Sequence, residues 1–168
     1  RKQMKKINVG LIGAGFMSKA HSIAYSGMPI FFHPAPAMPV KVTLVDSNPQ
    51  AAEAGRERFG FQKWATDWHD IVDDPDIQVV DICTPNYMHS VIAVDALKAG
   101  KHVFCEKPDA ISIEEVLKMQ KAAEESGRVL MVMRNNRFLA SSQYLKEYIR
   151  EGKTGELYAG RCGWIRRR

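Results

Sequence analysis

The chain has 168 residues, enough for one buried core, and an ordinary globular composition with 45% hydrophobic and 26% charged residues. Its net charge of +5 is carried at the ends, by Arg1, Lys2, Lys5, Lys6 and Arg166 to Arg168. The body between them is slightly acidic, which argues against a nucleic-acid partner. No run of eighteen apolar residues and no apolar leader precede a cleavage signal, so the expectation is a soluble, cytoplasmic protein without a membrane partner. Arg1, Lys2 and Gln3 stand before Met4, a candidate initiator, and carry no part of the fold reading. The cysteines, Cys83, Cys105 and Cys162, are odd in number and far apart, which reads as buried free thiols in a reducing compartment.

Ile7, Val9, Leu11 and Ile12 predict a buried first strand that runs into Gly13-Ala14-Gly15. A glycine turn between strand and helix lets backbone approach a pyrophosphate, and the helix N-terminus favours negative charge. Ser18 stands where the GxGxxG fingerprint has Gly or Ala, so close packing rests on a small polar residue. A helix is predicted from Phe16 to about Ser26, stopped by Gly27. From Met28 to Pro39 four prolines predict a long irregular loop.

Val40 to Val45 predicts the second strand, with Asp46 at its carboxyl end and 31 residues beyond Gly15. Asn48 and Pro49 start a helix through Phe59, ended by Gly60. Lys63 to Ala65 is a short strand and Thr66 to Val72 a brief helix. Val79 to Cys83 is a buried fourth strand followed by a turn at Thr84-Pro85-Asn86, and Ser90 to Ala99 a helix stopped at Gly100. Val103 to Cys105 is the fifth strand, Ser112 and Glu115 form the capping box of a helix running to Gly127, and Val129 to Met133 is the sixth strand.

This alternation specifies an α/β, doubly wound parallel sheet, a Rossmann dinucleotide-binding fold. Ligands then sit beyond the carboxyl ends of the strands, where the sequence places Gly13 to Gly15, Asp46, Thr84 to Asn86, Glu106 to Pro108 and Arg134 to Asn136. The expected division is a dinucleotide-binding domain at 4–140 and, at 141–168, a linking helix and first strand of a truncated α+β substrate or oligomerisation domain. Tyr144, Leu145, Tyr148 and Ile149 form an amphipathic stripe, and a strand is expected from Glu156 through Trp164 and Ile165. The other reading of that strand is a charged edge guarded by Arg166 to Arg168.

With the glycine turn, Asp46, Thr84-Pro85-Asn86 through His89, and Glu106-Lys107-Pro108 in this order, the sequence resembles the N-terminal half of a Gfo/Idh/MocA-family oxidoreductase. The resemblance covers essentially the whole chain, and its most specific element is the Glu-Lys-Pro triplet. It implies NAD or NADP as cofactor, a sugar, cyclitol or related polyol as substrate, and a homo-oligomer when full length. It also implies that a second domain, with a histidine assisting proton transfer, lies beyond Arg168.

The implied cofactor-binding residues are Gly13, Ala14, Gly15, Phe16, Met17, Asp46, Thr84, Pro85, Asn86, His89, Glu106 and Lys107. Asp46 suits the ribose hydroxyls and repels a 2′-phosphate, and Ser47 supplies no arginine, so NAD is favoured over NADP. The other reading of Asp46 is a turn cap before Ser47-Asn48-Pro49. Lys107 is the expected catalytic residue, orienting a hydroxyl and stabilising a developing alkoxide, with Glu106 holding its ammonium. Pro108 fixes the backbone, His89 either faces the cofactor or packs, and Trp64, Trp68 and Trp164 read as packing. His21, His33, His69 and His102 have no ligand-like spacing, so no metal site is expected. A non-catalytic NAD-binding module, or a transferase using another adenosine cofactor, remain the alternatives to a dehydrogenase.

Overall fold

The computed structural model describes residues 4–163. Six strands form one sheet, β1 (Lys6–Ile12), β2 (Met38–Val45), β3 (Lys63–Ala65), β4 (Val79–Ile82), β5 (His102–Cys105) and β6 (Leu130–Val132), joined by α1 (Phe16–Phe31), α2 (Pro49–Phe59), α3 (His69–Val72), α4 (Asn86–Lys98) and α5 (Ile113–Ser126). All strands are parallel, in the order β3-β2-β1-β4-β5-β6. The order reverses between β1 and β4, which is where a doubly wound sheet opens its ligand crevice.

Both faces of the sheet are covered, which explains the mostly apolar runs of β1 and β4, interrupted by Asn8 and by the buried Asp81. Leu11 packs with Leu44, Phe59 and Phe61 on one face, while the adjacent Ile12 joins Val80, Ile82, Ile92, Leu97, Val103 and Met119 on the other. Successive side chains of a strand point to opposite faces, so two small cores share one sheet. Helix ends follow the sequence signals: Asn48 caps α2 by accepting the Ala51 N–H, and Ser112 caps α5 by accepting the Glu115 N–H. The Glu115 carboxylate returns to the Ile111 N–H, one residue before the position a capping box uses.

Five expectations are corrected. First, α1 passes through Gly27 and Pro29 to Phe31. Gly27 keeps helical backbone, and a glycine stops a helix only where it turns left-handed. Pro29 removes one N–H, after which Phe32 donates to Met28 O at 3.0 Å. Second, β2 begins at Met38 and includes Pro39. Met38 N–H points to Lys5 O on the β1 side, so the missing N–H of Pro39 faces the other edge, where β3 pairs only Thr43 to Val45. Third, only His69–Val72 is helical in the segment after β3, because the Asp67 carboxylate accepts the His69 N–H and turns the chain first. Fourth, α4 begins at Asn86, not Ser90, because Pro85 takes the N-cap position and its fixed φ of −58° leads straight into the first turn. Fifth, residues 156–163 form no strand, there being no partner ladder among the described residues. Trp164, Ile165 and Arg166 to Arg168 lie outside the described residues.

The chain divides into two compact units, Arg1–Met133 and Arg134–Arg168. The second holds a 3-10 turn at Asn135–Phe138 and helix α6 (Ala140–Arg150), in which Arg150 pairs with Glu147 at 2.7 Å. Arg134 and Asn136 belong to this unit. Cys105 is buried and Cys83 half-buried, whereas Cys162 is exposed, which corrects the reading of three buried thiols. No helix among the described residues is long and apolar enough to cross a membrane.

Candidate functional site

The turn after β1 is built for close backbone approach. Gly13 has φ of +101°, and a Cβ there would lie 2.7 Å from Cys83 O on the neighbouring strand end. Its N–H donates to Val45 O at 2.7 Å, so the turn is tied to the end of β2. Ser18 is completely buried, and its hydroxyl donates to Gly13 O at 2.6 Å. The departure from the fingerprint therefore clips the turn instead of loosening it. Gly15 caps α1 without a side chain, and nothing lies within 4 Å of the Cβ it lacks. Phe16 is largely exposed and Met17 half-buried, and what they offer the turn is backbone N–H at the start of a 16-residue helix.

Asp46 closes the same turn from β2. Oδ2 accepts the Ala14 N–H at 2.8 Å and Oδ1 accepts the Asn48 N–H at 2.9 Å. The turn-capping reading is thus present in the geometry. It does not exhaust the group, since an ionised carboxylate accepts about four hydrogen bonds.

Between β1 and β4 opens a crevice of about 250 Å³, lined by Gly13, Ala14, Gly15, Asp46, Thr84 and Pro85 among the expected residues. Thr66, Trp68 and Met88 complete its wall and were not expected there. Trp68 was read as packing, yet it follows the carboxyl end of β3, so the rule that picked Thr84 and Asp46 could have found it. Thr84 Oγ1 is buried without a hydrogen-bond partner among the described residues. A buried hydroxyl in that state costs about 1–3 kcal/mol and marks a place for a polar ligand group. A left-handed glycine, an uncapped helix start, an acid at the next strand end and an orphaned hydroxyl together fit a dinucleotide. A larger groove of about 400 Å³ beside α1 and α2, lined by Ile23, Ile30 and Phe59, lies away from the strand ends and brings none of these groups together.

The expected residues outside the crevice wall divide in two. Asn86, at the first position of α4, and Lys107, after β5, are exposed. The Lys107 ammonium makes no hydrogen bond or ion pair among the described residues, and the Lys107–Pro108 bond is cis. His89 and Glu106 are buried instead. His89 Nδ1 lies 2.7 Å from Pro108 O and Nε2 lies 2.9 Å from Thr84 O, so the ring ties the turn after β4 to the turn after β5. Buried between these two carbonyls, His89 packs in this structure, one of the two readings given for it. Glu106 Oε2 accepts the Lys107 N–H at 3.0 Å and Oε1 lies 3.0 Å from His21 Nε2. Neither oxygen holds the Lys107 ammonium, which corrects that expectation.

His21 was missed, because its partners lie 60 and 85 residues away in sequence. Its Nδ1 is 2.9 Å from Asp81 Oδ2, and Tyr25 donates its hydroxyl to the same oxygen at 2.7 Å. Burial alone would favour the neutral ring, but hydrogen bonds and charge from Asp81, then Glu106, outweigh it and raise the pKa of His21 above its ordinary value. Burial, followed by the Asp81 charge, pushes both the Tyr25 hydroxyl and the Cys83 thiol up. Burial pushes the Cys105 thiol up to about 12. Ligand atoms of His21, Asp81 and Cys83 lie within 4.8 Å of one another, a grouping that the spacing of histidines in the sequence did not reveal.

A family model described as "Oxidoreductase family, NAD-binding Rossmann fold" matches residues 7–134. Levoglucosan dehydrogenase of Pseudarthrobacter phenanthrenivorans is 49% identical over 162 residues, covering 96% of this chain and 42% of that protein. Inositol 2-dehydrogenase of Rhizobium meliloti is 33% identical, covering 90% of this chain and 43% of that protein. A solved levoglucosan dehydrogenase in complex with NADH superposes with a TM-score of 0.88 at 50% identity, over 90% of this chain and 41% of the other. The chain thus spans about two fifths of the length of these relatives. Over that span it belongs to the Gfo/Idh/MocA oxidoreductase family, as its NAD-binding Rossmann domain.

Proposed function

We propose that this chain is the cofactor-binding part of an NAD-dependent dehydrogenase acting on a hydroxyl of a sugar, cyclitol or related polyol. The observation that carries the reading is the crevice at the switch point of the sheet, where the Gly13 turn, Asp46 and the orphaned Thr84 hydroxyl meet. The relatives named above act on levoglucosan and inositol, and levoglucosan is the first substrate to assay because that relative matches at 49% identity.

In this reading Gly13, Ala14 and Gly15, with the backbone of Phe16 and Met17, receive the pyrophosphate. Asp46 accepts from the adenosine ribose hydroxyls and repels a 2′-phosphate, which favours NAD over NADP. Thr84, Pro85 and Asn86 line the route toward the nicotinamide end. NAD, when bound, accepts or returns the hydride. Lys107 touches the substrate: its ammonium orients the reacting hydroxyl and stabilises negative charge as the proton leaves the oxygen. Residues 141–168 begin a second domain that supplies the remaining substrate contacts and the assembly surface of a homo-oligomer. The location is the cytoplasm, and neither nucleic acid nor membrane is a partner.

The test is NADH formation by the full-length protein with levoglucosan and with inositol, for wild type and Lys107→Ala. We expect turnover with at least one of them and a loss of about 100-fold or more in the variant. NAD binding without turnover on any polyol tried would leave a binding module in place of a dehydrogenase. Near-normal turnover of Lys107→Ala would remove the role given to that residue.

A further inference from the structure

We propose that His21 is a positioning residue for Lys107, acting through Glu106. The proposal rests on the reading of Lys107 as the catalytic lysine and adds to it a residue buried on α1 that touches neither substrate nor cofactor. Both ring nitrogens of His21 face carboxylates: Nδ1 lies 2.9 and 3.0 Å from the two Asp81 oxygens, and Nε2 lies 3.0 Å from Glu106 Oε1. A neutral imidazole carries one N–H, so one of these contacts would set a lone pair against a carboxylate oxygen, whereas the imidazolium donates at both. The ring is also stacked on Phe104, with centroids 5.1 Å apart and planes at 29°, and it is 4% exposed. It has little freedom to turn away.

The chain of contacts ends at the lysine. With Glu106 Oε1 held by His21, the other oxygen, Oε2, accepts the backbone N–H of Lys107 at 3.0 Å. Glu106 is 4% exposed, so this is a charge-assisted hydrogen bond inside the protein, and it orients the peptide from which the exposed Lys107 side chain departs. Asp81 is completely buried and anchors the opposite side of the ring, its Oδ2 also receiving the Tyr25 hydroxyl. Lys107 stands on a loop after a four-residue strand, and a loop lysine needs such support to keep its ammonium in place. A buried ion pair carried only for stability would not need its second carboxylate oxygen on the backbone of the reacting residue.

The competing use of these atoms is a metal site formed by His21, Asp81 and Cys83. His21 Nδ1 already faces Asp81, and burial and the Asp81 charge favour the protonated thiol of Cys83, so the groups are arranged for hydrogen bonding.

The experiment uses the full-length protein and a two-by-two set: wild type, His21→Gln, Lys107→Ala and the double variant. It measures kcat, KM for levoglucosan, Kd for NAD and Tm. We expect His21→Gln to lower kcat by about 10- to 100-fold with the Kd for NAD within about twofold of wild type. The same change made in the Lys107→Ala background is expected to lower kcat no further. An equal loss in both backgrounds, or no loss in either, overturns the proposal. Wild-type kcat in Lys107→Ala overturns the reading on which it rests, and that result is independent of the His21 measurement. If His21→Gln does not fold, Glu106→Gln keeps an acceptor for the Lys107 N–H while weakening the link to His21. The same loss of kcat, again absent without Lys107, supports the proposal, and unchanged kcat overturns it.

Discussion

The carboxylate of Asp46 accepts the N–H of Ala14 at 2.8 Å, joining the end of β2 to the glycine turn after β1. One acid therefore shapes the glycine turn, and in the proposed reading it also accepts from the ribose beyond it. Asp46→Ala is expected to weaken NAD binding and to reduce the preference for NAD over NADP by about tenfold or more, since both a partner and a repelling charge are lost. Fluorescence titration with the two cofactors checks this. An unchanged ratio of dissociation constants would leave Asp46 as a turn residue only.

Gly13 admits no side chain. Its φ of +101° is strained for any L residue, and a Cβ would meet a backbone carbonyl that cannot move aside. Gly13→Ala is expected to destabilise the protein by about 2 kcal/mol or more and to reduce NAD affinity, read by urea denaturation and cofactor titration. Gly15→Ala is the control. No atom lies within 4 Å of the added carbon and φ is −81°, so stability should change by less than about 1 kcal/mol.

Removing the Thr84 hydroxyl separates a folding role from a binding role. Thr84→Val deletes a buried oxygen that has no partner among the described residues. Stability is expected to hold or rise by up to about 1 kcal/mol. NAD affinity is expected to fall severalfold in the same variant. A clear loss of Tm would show that the hydroxyl serves the fold.

The pKa of His21 is raised in the folded protein, so its contribution to stability is fully present below about pH 6.5, the value expected for the unfolded chain. That contribution is lost as pH climbs through the raised folded value. The groups that face it are Asp81 and Cys83 at β4 and its end and Glu106 after β5, while Tyr25 on its own helix reaches Asp81. Comparing wild type with His21→Gln by urea denaturation between pH 5 and 9 should show the gap narrowing toward alkaline pH. A gap that instead widened toward alkaline pH would mean that the ring is neutral in the fold, and a gap independent of pH would mean that its pKa is not shifted.

The six strands of the sheet, their parallel sense and the strand ends that line the crevice were legible in the sequence, because a strand covered on both faces is mostly apolar and a crevice opens where such strands stop. Gly13, Asp46 and Thr84 could be named for that reason. The stops of α1 and the start of α4 were not legible, since Gly27 and Pro85 each admit two backbone outcomes that only packing chooses between. His89 and Glu106 were assigned by their place beside strand ends, but the side-chain direction that buries them is a property of the packed helices and sheet. The His21 pair with Asp81 and Glu106 had no signal at all, because residues 60 and 85 positions apart meet only when α1 packs against the sheet. What the sequence by itself determined is the alternating pattern and the chemistry available at each strand end. Tertiary structure alone decided which of those groups face the crevice and which hold the others in place, since burial and hydrogen-bond partners are properties of the assembled sheet.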